Sequence, residues 1–146
     1  GIRSLSYSLN PPDLQVGISE GIKKFFVRMN MVSQTNFICE INDAKSVALL
    51  VDDSKSYHLY RIVQEFVNNA LKHAEASEIK VSLGTTGNRF EMKVSDNGNG
   101  FDEKNTHSGS GLQNMKDRCR VSSMEFDLKS VLSEGTEIKI SFEADS

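Results

Sequence analysis

Hydrophobic residues in the middle of the chain recur in pairs three and four positions apart, which is the spacing of one helix face. They are Leu59, Ile62, Val63, Phe66, Val67, Ala70 and Leu71. Because an α-helix has about 3.6 residues per turn, this pattern predicts an amphipathic helix with one broad buried face. The hydroxyl of either Ser54 or Ser56 would cap its start.

Two more segments have helical spacing, and five alternate apolar and polar residues as β-strands do. The predicted helices cover about 18–31, with Ile18, Ile22, Phe25, Phe26 and Met29 on one face, and 112–121, with Leu112, Met115 and Cys119 inward. The predicted strands lie within 35–41, 79–83, 90–94, 124–128 and 138–142. Polar turns at 84–88 and 133–135 separate successive strands, and the type of the apolar run 47–51 stays open. This order predicts an α+β fold, a two-layer sandwich of a mixed, mostly antiparallel sheet with helices on one face.

Composition narrows the class of protein. The chain has 146 residues, 38% hydrophobic and 25% charged, as expected for one soluble globular domain. Its net charge of -3 gives no basic excess, so we expect no nucleic-acid partner. No apolar run reaches the roughly 20 residues that span a bilayer, so we expect no membrane contact by this segment. Cys39 and Cys119 lack metal-binding spacing and fit thiols of a reducing cytoplasm.

Polar residues border the apolar face of the central helix. Glu65, Asn69 and Lys72 lie at i, i+4 and i+7 and share one stripe, with His73 at the apolar edge. Carboxylate and amide oxygens are hard ligands for Mg²⁺, and a lysine is a point charge for phosphate. The stripe therefore indicates either a nucleotide site or a partly buried polar network that ties the helix to a loop.

Three glycine-containing motifs follow. The string Asp96-Asn97-Gly98-Asn99-Gly100-Phe101 comes directly after a predicted strand, Gly109-Ser110-Gly111-Leu112 precedes a predicted helix, and Gly135-Thr136 opens the last strand. Glycines allow a ligand to approach the backbone closely, and a helix N-terminus offers N–H groups to phosphate. Taken singly, each motif also fits a plain turn, a flexible loop or a structural hydroxyl.

The order of these motifs carries a family resemblance. The segment from Leu59 to Ala74 closely resembles the N box of sensor histidine kinases, 96–101 resembles their G1 box, and 109–112 resembles their G2 box. Gly135-Thr136 resembles the glycine-threonine pair of their penultimate strand region. Residues 9–14 with Gly17 resemble the junction between dimerisation helices and ATPase domain in the NarL-partner subfamily. The loop after Phe101 is short and has no clear F box, which suits that subfamily.

The resemblance implies a Bergerat-type fold that binds ATP and Mg²⁺. Asn69 would coordinate the metal, with Glu65 beside it and its waters, while Lys72 and His73 would contact phosphates or ribose. Asp96 would accept a hydrogen bond from the adenine amino group, and Thr136 would support Asp96 through a water. Gly98 and Gly100 would let the backbone pass the base. Gly109, Gly111 and Leu112 would close over the phosphates.

The resemblance also implies partners. Residues 1–17 would be the tail of an upstream dimerisation helix and a linker, and 18–146 the ATP-binding catalytic domain. The phosphate-accepting histidine would lie on a separate dimerisation domain of the same, homodimeric protein, because His58, His73 and His107 are not in such a helix. A response regulator would act downstream. The catalytic segment would be cytoplasmic, and the resemblance leaves open whether its parent is anchored in the inner membrane. The alternatives are an anti-sigma-factor serine kinase or ATPase of the same fold, and a non-catalytic nucleotide-binding module.

Overall fold

The computed structural model describes residues 16–100 and 110–144 of the chain. Its helices are α1 (Ile18–Val32), α2 (Ala44–Leu50), α3 (Asp53–Asn69), which continues as a π-helical turn over Ala70–Ala74, and α4 (Ser110–Val121). Its strands are β1 (Asn36–Ile41), β2 (Glu78–Thr86), β3 (Arg89–Asp96), β4 (Glu125–Val131) and β5 (Gly135–Glu143). Every helix and strand predicted from residue 18 onward is therefore present, and the open segment 47–51 belongs largely to α2. Residues 1–15 of the predicted upstream helix and linker lie outside the described residues.

The five strands form one sheet in the order β1-β2-β3-β5-β4. β1 pairs with β2 in parallel, and the other three pairs are antiparallel. Alternate strand residues such as Val81, Met92 and Ile140 are buried in one core with Phe26 of α1 and Val63 of α3. These features confirm the predicted α+β sandwich with a mixed, mostly antiparallel sheet.

Helix α3 departs from the prediction at both ends. Neither Ser54 nor Ser56 caps it, because Asp52 precedes the helix and accepts the Lys55 N–H at 2.8 Å. Leu71 was predicted to face the core but is 41% exposed. The wider π-helical turn from Ala70 onward changes the angle between successive residues, so the 3.6-residue period no longer applies there.

The hairpin between β2 and β3 is tighter than predicted. Gly84 and Thr86 belong to β2, and only Gly87 and Asn88 form the turn. Gly87 has a φ of 60°, as a two-residue hairpin turn requires. The predicted turn 84–88 was therefore too long, because alternation of apolar residues ends before strand pairing does.

Gly135, at the start of β5, is the most constrained glycine of the sheet. Its φ is 115°, and a Cβ there would overlap the carbonyl oxygen of Asp96. Gly135→Ala is therefore expected to lower the free energy of unfolding by about 2–4 kcal/mol, from backbone strain and overpacking together. Gly87→Ala is the matched control, because Gly87 also has a positive φ but a Cβ there meets nothing within 4 Å. Urea unfolding of both variants checks this, and equal losses would contradict it.

Candidate functional site

The predicted site residues of the strands lie at one end of the sheet. Asp96 ends β3 and is paired in register with Thr136 near the start of β5 and with Ile79 near the start of β2. The N–H of Asn97 continues this ladder by donating to the carbonyl of Glu78. The Asp96–Gly100 loop, called the acidic loop below, therefore begins beside the turn that follows the π-helical end of α3.

The carboxylate of Asp96 is half-buried at this end. Burial raises its pKa above the usual range, while backbone hydrogen bonds from Gly98 and Thr136 oppose that shift. The Gly98 N–H donates to Oδ1 at 2.8 Å. These bonds fix the direction of the carboxylate, and its partial burial leaves it suited to accept a hydrogen bond from a ligand.

Thr136 and Ser130 share a hydrogen bond next to Asp96. Their hydroxyl oxygens lie 2.8 Å apart, and Ser130 is buried. The sequence analysis assigned no role to Ser130, because a single serine in a predicted strand carries no pattern. The hydroxyl of Thr136 is thus oriented from β4 as well as by its own strand.

One glycine, Gly100, lets the acidic loop pack tightly. Gly100 has a φ of 63°, and a Cβ there would overlap the carbonyl oxygen of Val131. The Asn99 carbonyl accepts the N–H of Ser133 at 2.6 Å. The loop is therefore held against the turn between β4 and β5, as well as against the end of β3.

Asn97 ties the acidic loop to the segment after α3. Its Oδ1 accepts the N–H groups of Ser77 and Glu78 at 3.0 and 2.9 Å, and its Nδ2 donates to the Ser77 hydroxyl at 2.9 Å. Each of the three hydrogen bonds links residues that are about twenty positions apart in the chain. No role for Asn97 was predicted from the sequence, although an asparagine after a strand end is a common partner of backbone N–H groups.

Asn69 joins the polar stripe of α3, called the helix rim below and formed by Glu65, Asn69 and Lys72, to the glycine motif of α4. A Cβ on Gly111 would lie 2.7 Å from Nδ2 and 3.2 Å from Oδ1 of Asn69. The amide therefore lies directly against the backbone of Gly111, and only glycine leaves room for it. The structure thus brings together two predicted site residues that are 42 positions apart in the chain (111 minus 69).

The remaining predicted site residues differ in exposure. Lys72 and His73 lie in the π-helical turn and are exposed, and Leu112 is half-buried at the start of α4. The exposure of His73 departs from its expected place at the apolar edge, for the same reason as that of Leu71. Gly109 and His107 lie outside the described residues.

Glu65 faces α4 and is close to a residue that the sequence analysis missed. Its Oε1 lies 3.8 Å from Nε of Arg118, and both side chains are about one fifth exposed, 21% and 22%. Burial raises the pKa of Glu65, whereas the charges of Arg118 and Arg61 lower it. Arg118 directly precedes the buried Cys119 and follows Met115 by three positions, so its place on the inward stripe of α4 was the available signal.

The donor set fits a magnesium ion that is shared with phosphates. Within residues 16–100 and 110–144, no three His, Cys, Asp or Glu side chains cluster as metal ligands. Mg²⁺ is commonly held by one or two protein oxygens together with substrate phosphates, rather than by an all-protein cage. Asn69 offers an amide oxygen beside the backbone of Gly111, and one oxygen of Glu65 is buried without a hydrogen-bond partner.

Comparison with known proteins identifies a matching family and related sequences. Residues 54–146 match the family described as histidine kinase-, DNA gyrase B-, and HSP90-like ATPase. The chain is 31% identical over 141 residues to the sensor histidine kinase LiaS of Bacillus subtilis (strain 168), covering 95% of this chain and 38% of that protein. It is 32% identical to the sensor protein VraS of Staphylococcus aureus (strain COL), covering 39% of that protein. The chain therefore spans about two fifths of the length of these relatives.

Solved structures share the fold. A blue-light activated histidine kinase of Erythrobacter litoralis superposes with a TM-score of 0.68 at 16% identity, over 87% of this chain and 42% of that one. The catalytic domain of histidine kinase ThkA superposes with a TM-score of 0.66 at 13% identity, over 87% of this chain and 91% of that one. In the part of the chain that the structure describes, no helix has the length and apolar character of a membrane span.

Proposed function

Because the chain belongs to the family of histidine kinase-, DNA gyrase B-, and HSP90-like ATPases, we propose that it binds Mg-ATP and donates the γ-phosphate to a histidine. That histidine lies on a dimerisation and phosphoacceptor domain of the same, longer protein, which acts as a homodimer. A response regulator then receives the phosphate in two-component signalling. The catalytic segment works in the cytoplasm.

One observation carries this proposal: the amide of Asn69 lies against the backbone of Gly111. This contact joins the helix rim, which offers oxygen ligands, to the start of α4. The first N–H groups of that helix lack intrahelical partners and suit a phosphate. Asp96 and the acidic loop lie beside the other end of the same rim, through the bonds of Asn97 to Ser77 and Glu78. A nucleotide has its base and its phosphates at opposite ends, so this division of donors suits it.

The roles of individual side chains follow from their chemistry. Asp96 accepts the adenine amino group, and Thr136 supports Asp96 through a water. Adenine is preferred to guanine, because guanine has a carbonyl at that position and would face the carboxylate without a hydrogen bond. Gly98 and Gly100 allow the acidic loop to pass the base closely. Leu112 covers the phosphates together with the glycines of its motif, Gly109 and Gly111.

The phosphate end is held by charge and by a metal. Asn69 coordinates Mg²⁺, with Glu65 beside the ion, and Lys72 and His73 contact phosphates or ribose. A bound Mg²⁺ would neutralise the charge that develops on the transferred phosphoryl group. The chain's own residues position the nucleotide and select adenine over guanine. The histidine nitrogen that accepts the phosphoryl group belongs to the separate domain.

Phosphotransfer in trans tests the proposal. The chain is incubated with Mg-[γ-³²P]ATP alone and with the phosphoacceptor domain of its parent protein. We expect label on the acceptor domain, lost in acid as phosphohistidine is, and no phosphohistidine on the chain itself. Acid-stable label on a serine would instead favour the serine-kinase alternative, and the absence of nucleotide binding would favour a non-catalytic module. The narrower assignment to the NarL-partner subfamily stays a prediction, because it rests on the upstream junction.

A further inference from the structure

Arg118 lies in a set of contacts that the proposed function does not use. Its Nη1 is 3.3 Å from Nδ1 of His58, its guanidinium lies 5.7 Å from the ring centroid of Tyr57, and its Nε faces Oε1 of Glu65. All three partners belong to α3, whereas Arg118 belongs to α4. The Arg118 side chain therefore contacts about two turns of α3 and links α4 to that helix.

The geometry of Glu65 depends on this arginine. Oε2 of Glu65 is buried and has no hydrogen-bond partner, and the pair with Arg118, at 3.8 Å, is too long for a hydrogen bond. A carboxylate in this state is held by charge and by packing, so the position of the guanidinium decides which way its oxygens point. Since Glu65 is four residues before Asn69, one turn of α3 separates the two oxygen donors.

Arg118 also affects the contact between Asn69 of α3 and Gly111 of α4. Gly111 and Arg118 lie seven residues apart on α4, which places them on one face, and Asn69 and Glu65 lie one turn apart on α3. Two contacts near the rim therefore join the antiparallel pair of helices, one at Gly111 and Asn69 and one at Arg118 and Glu65. Because Met115 and Cys119 keep α4 in the core, we expect loss of the second contact to change the position of α4 beside the rim without detaching the helix.

We propose that Arg118 is a positioning residue for metal-dependent nucleotide binding: it orients the carboxylate of Glu65 and keeps the start of α4 against Asn69. This inference rests on the proposed function, because it assigns Arg118 an effect on the same site. Arg118 itself does not touch the nucleotide. Its guanidinium is engaged with α3, and its effect passes through Glu65 and through the placement of Gly111.

Arg118→Met tests the inference, because methionine keeps an extended side chain but removes the charge. Mg²⁺ should strengthen ADP binding, relative to binding in EDTA, by a factor that is about 10-fold or more smaller in this variant than in the unmodified chain. Losses of this size are typical when a residue that orients a metal ligand is removed. Arg118→Lys should recover part of the loss through its charge. Arg120→Met is the matched control on the same helix, because Arg120 is 77% exposed and pairs only locally with Asp117 in the contacts described.

A second readout uses the nucleotide-free protein. Arg118→Met leaves the partly buried carboxylate of Glu65 with only the weaker influence of Arg61 as a counter-charge, so we expect the Tm to fall by roughly 3–6 °C. Glu65→Gln in the same chain should remove most of that fall, because the amide needs no counter-charge. A double-mutant cycle over the two positions measures this coupling, and circular dichroism at 20 °C confirms that each variant is folded.

The outcomes separate this inference from the proposed function. If the unmodified chain fails to bind Mg-ADP, the proposed function is wrong. If it binds, and Arg118→Met changes the affinity equally with and without Mg²⁺ or not at all, Arg118 has no positioning role at this site. Additive Tm changes at Arg118 and Glu65 would likewise contradict the inference.

Discussion

Asp96→Asn is expected to weaken ADP and ATP binding by about 10- to 100-fold, because a hydrogen bond to a charged group contributes about 1.5–3 kcal/mol. Asparagine has nearly the same shape and can still accept the Gly98 N–H, so the acidic loop should keep its conformation. The loss should therefore appear in affinity without a loss of fold. Calorimetric titration with Mg-ADP measures it.

The same substitution has a predicted sign for stability. Burial raises the pKa of Asp96, so the folded protein holds this proton more tightly than the unfolded chain does. Such a group contributes stability below its unfolded pKa, and that contribution is lost as the pH rises through its folded pKa. At neutral pH the Tm of Asp96→Asn should therefore equal or exceed that of the unmodified chain. Asp127→Asn on the exposed side of β4 is the matched control, and a clear Tm loss confined to Asp96→Asn would contradict this account.

Asn69→Ala is expected to abolish the gain in nucleotide affinity that Mg²⁺ provides. Removing a metal ligand should cost at least the 10- to 100-fold typical of losing an outer partner. Binding in EDTA should change much less, because Asp96 still accepts from the base. Titrations with ADP in Mg²⁺ and in EDTA separate the metal-dependent part of the affinity from the metal-independent part.

Gly111→Ala serves as a second route to the same effect. Its Cβ would lie 2.7 Å from Nδ2 of Asn69 and would push the amide aside without removing it. Gly84→Ala is the control, since the Cβ there meets Asn42 at an ordinary 3.5 Å. If Asn69→Ala and Gly111→Ala both retain the full Mg²⁺ dependence, Asn69 is not a metal ligand.

Periodicity predicted the layers of this fold but not the local exceptions. The alternation of Val81 and Leu83 with polar neighbours located β2, because burial of one sheet face imposes a period of two. The π-helical turn that exposes Leu71 has no such signal, since it depends on backbone hydrogen bonds that any residue can make. The cap by Asp52 was missed because four residues of the capping type lie between positions 52 and 56, and only the structure shows which side chain accepts the Lys55 N–H.

The site residues that belong to family motifs could be predicted from the sequence. The residues that join the site only through tertiary contacts could not. Asn69 and Gly111 were both found as motif residues, but their contact depends on the packing of α3 against α4. Arg118 and Ser130 were missed because each contacts a site residue of another element: Arg118 contacts Glu65 of α3, and Ser130 contacts Thr136 of the paired strand. Such supporting residues have no spacing rule of their own.

Calorimetry of the unmodified chain with ADP is the most direct test of the central claim, which is that the rim of α3 and the acidic loop together bind an adenine nucleotide with Mg²⁺. The account predicts one binding site per chain, tighter in Mg²⁺ than in EDTA, with GDP bound at least about 10-fold more weakly. Equal affinities for ADP and GDP, or no binding of either nucleotide in the presence of Mg²⁺, would contradict it.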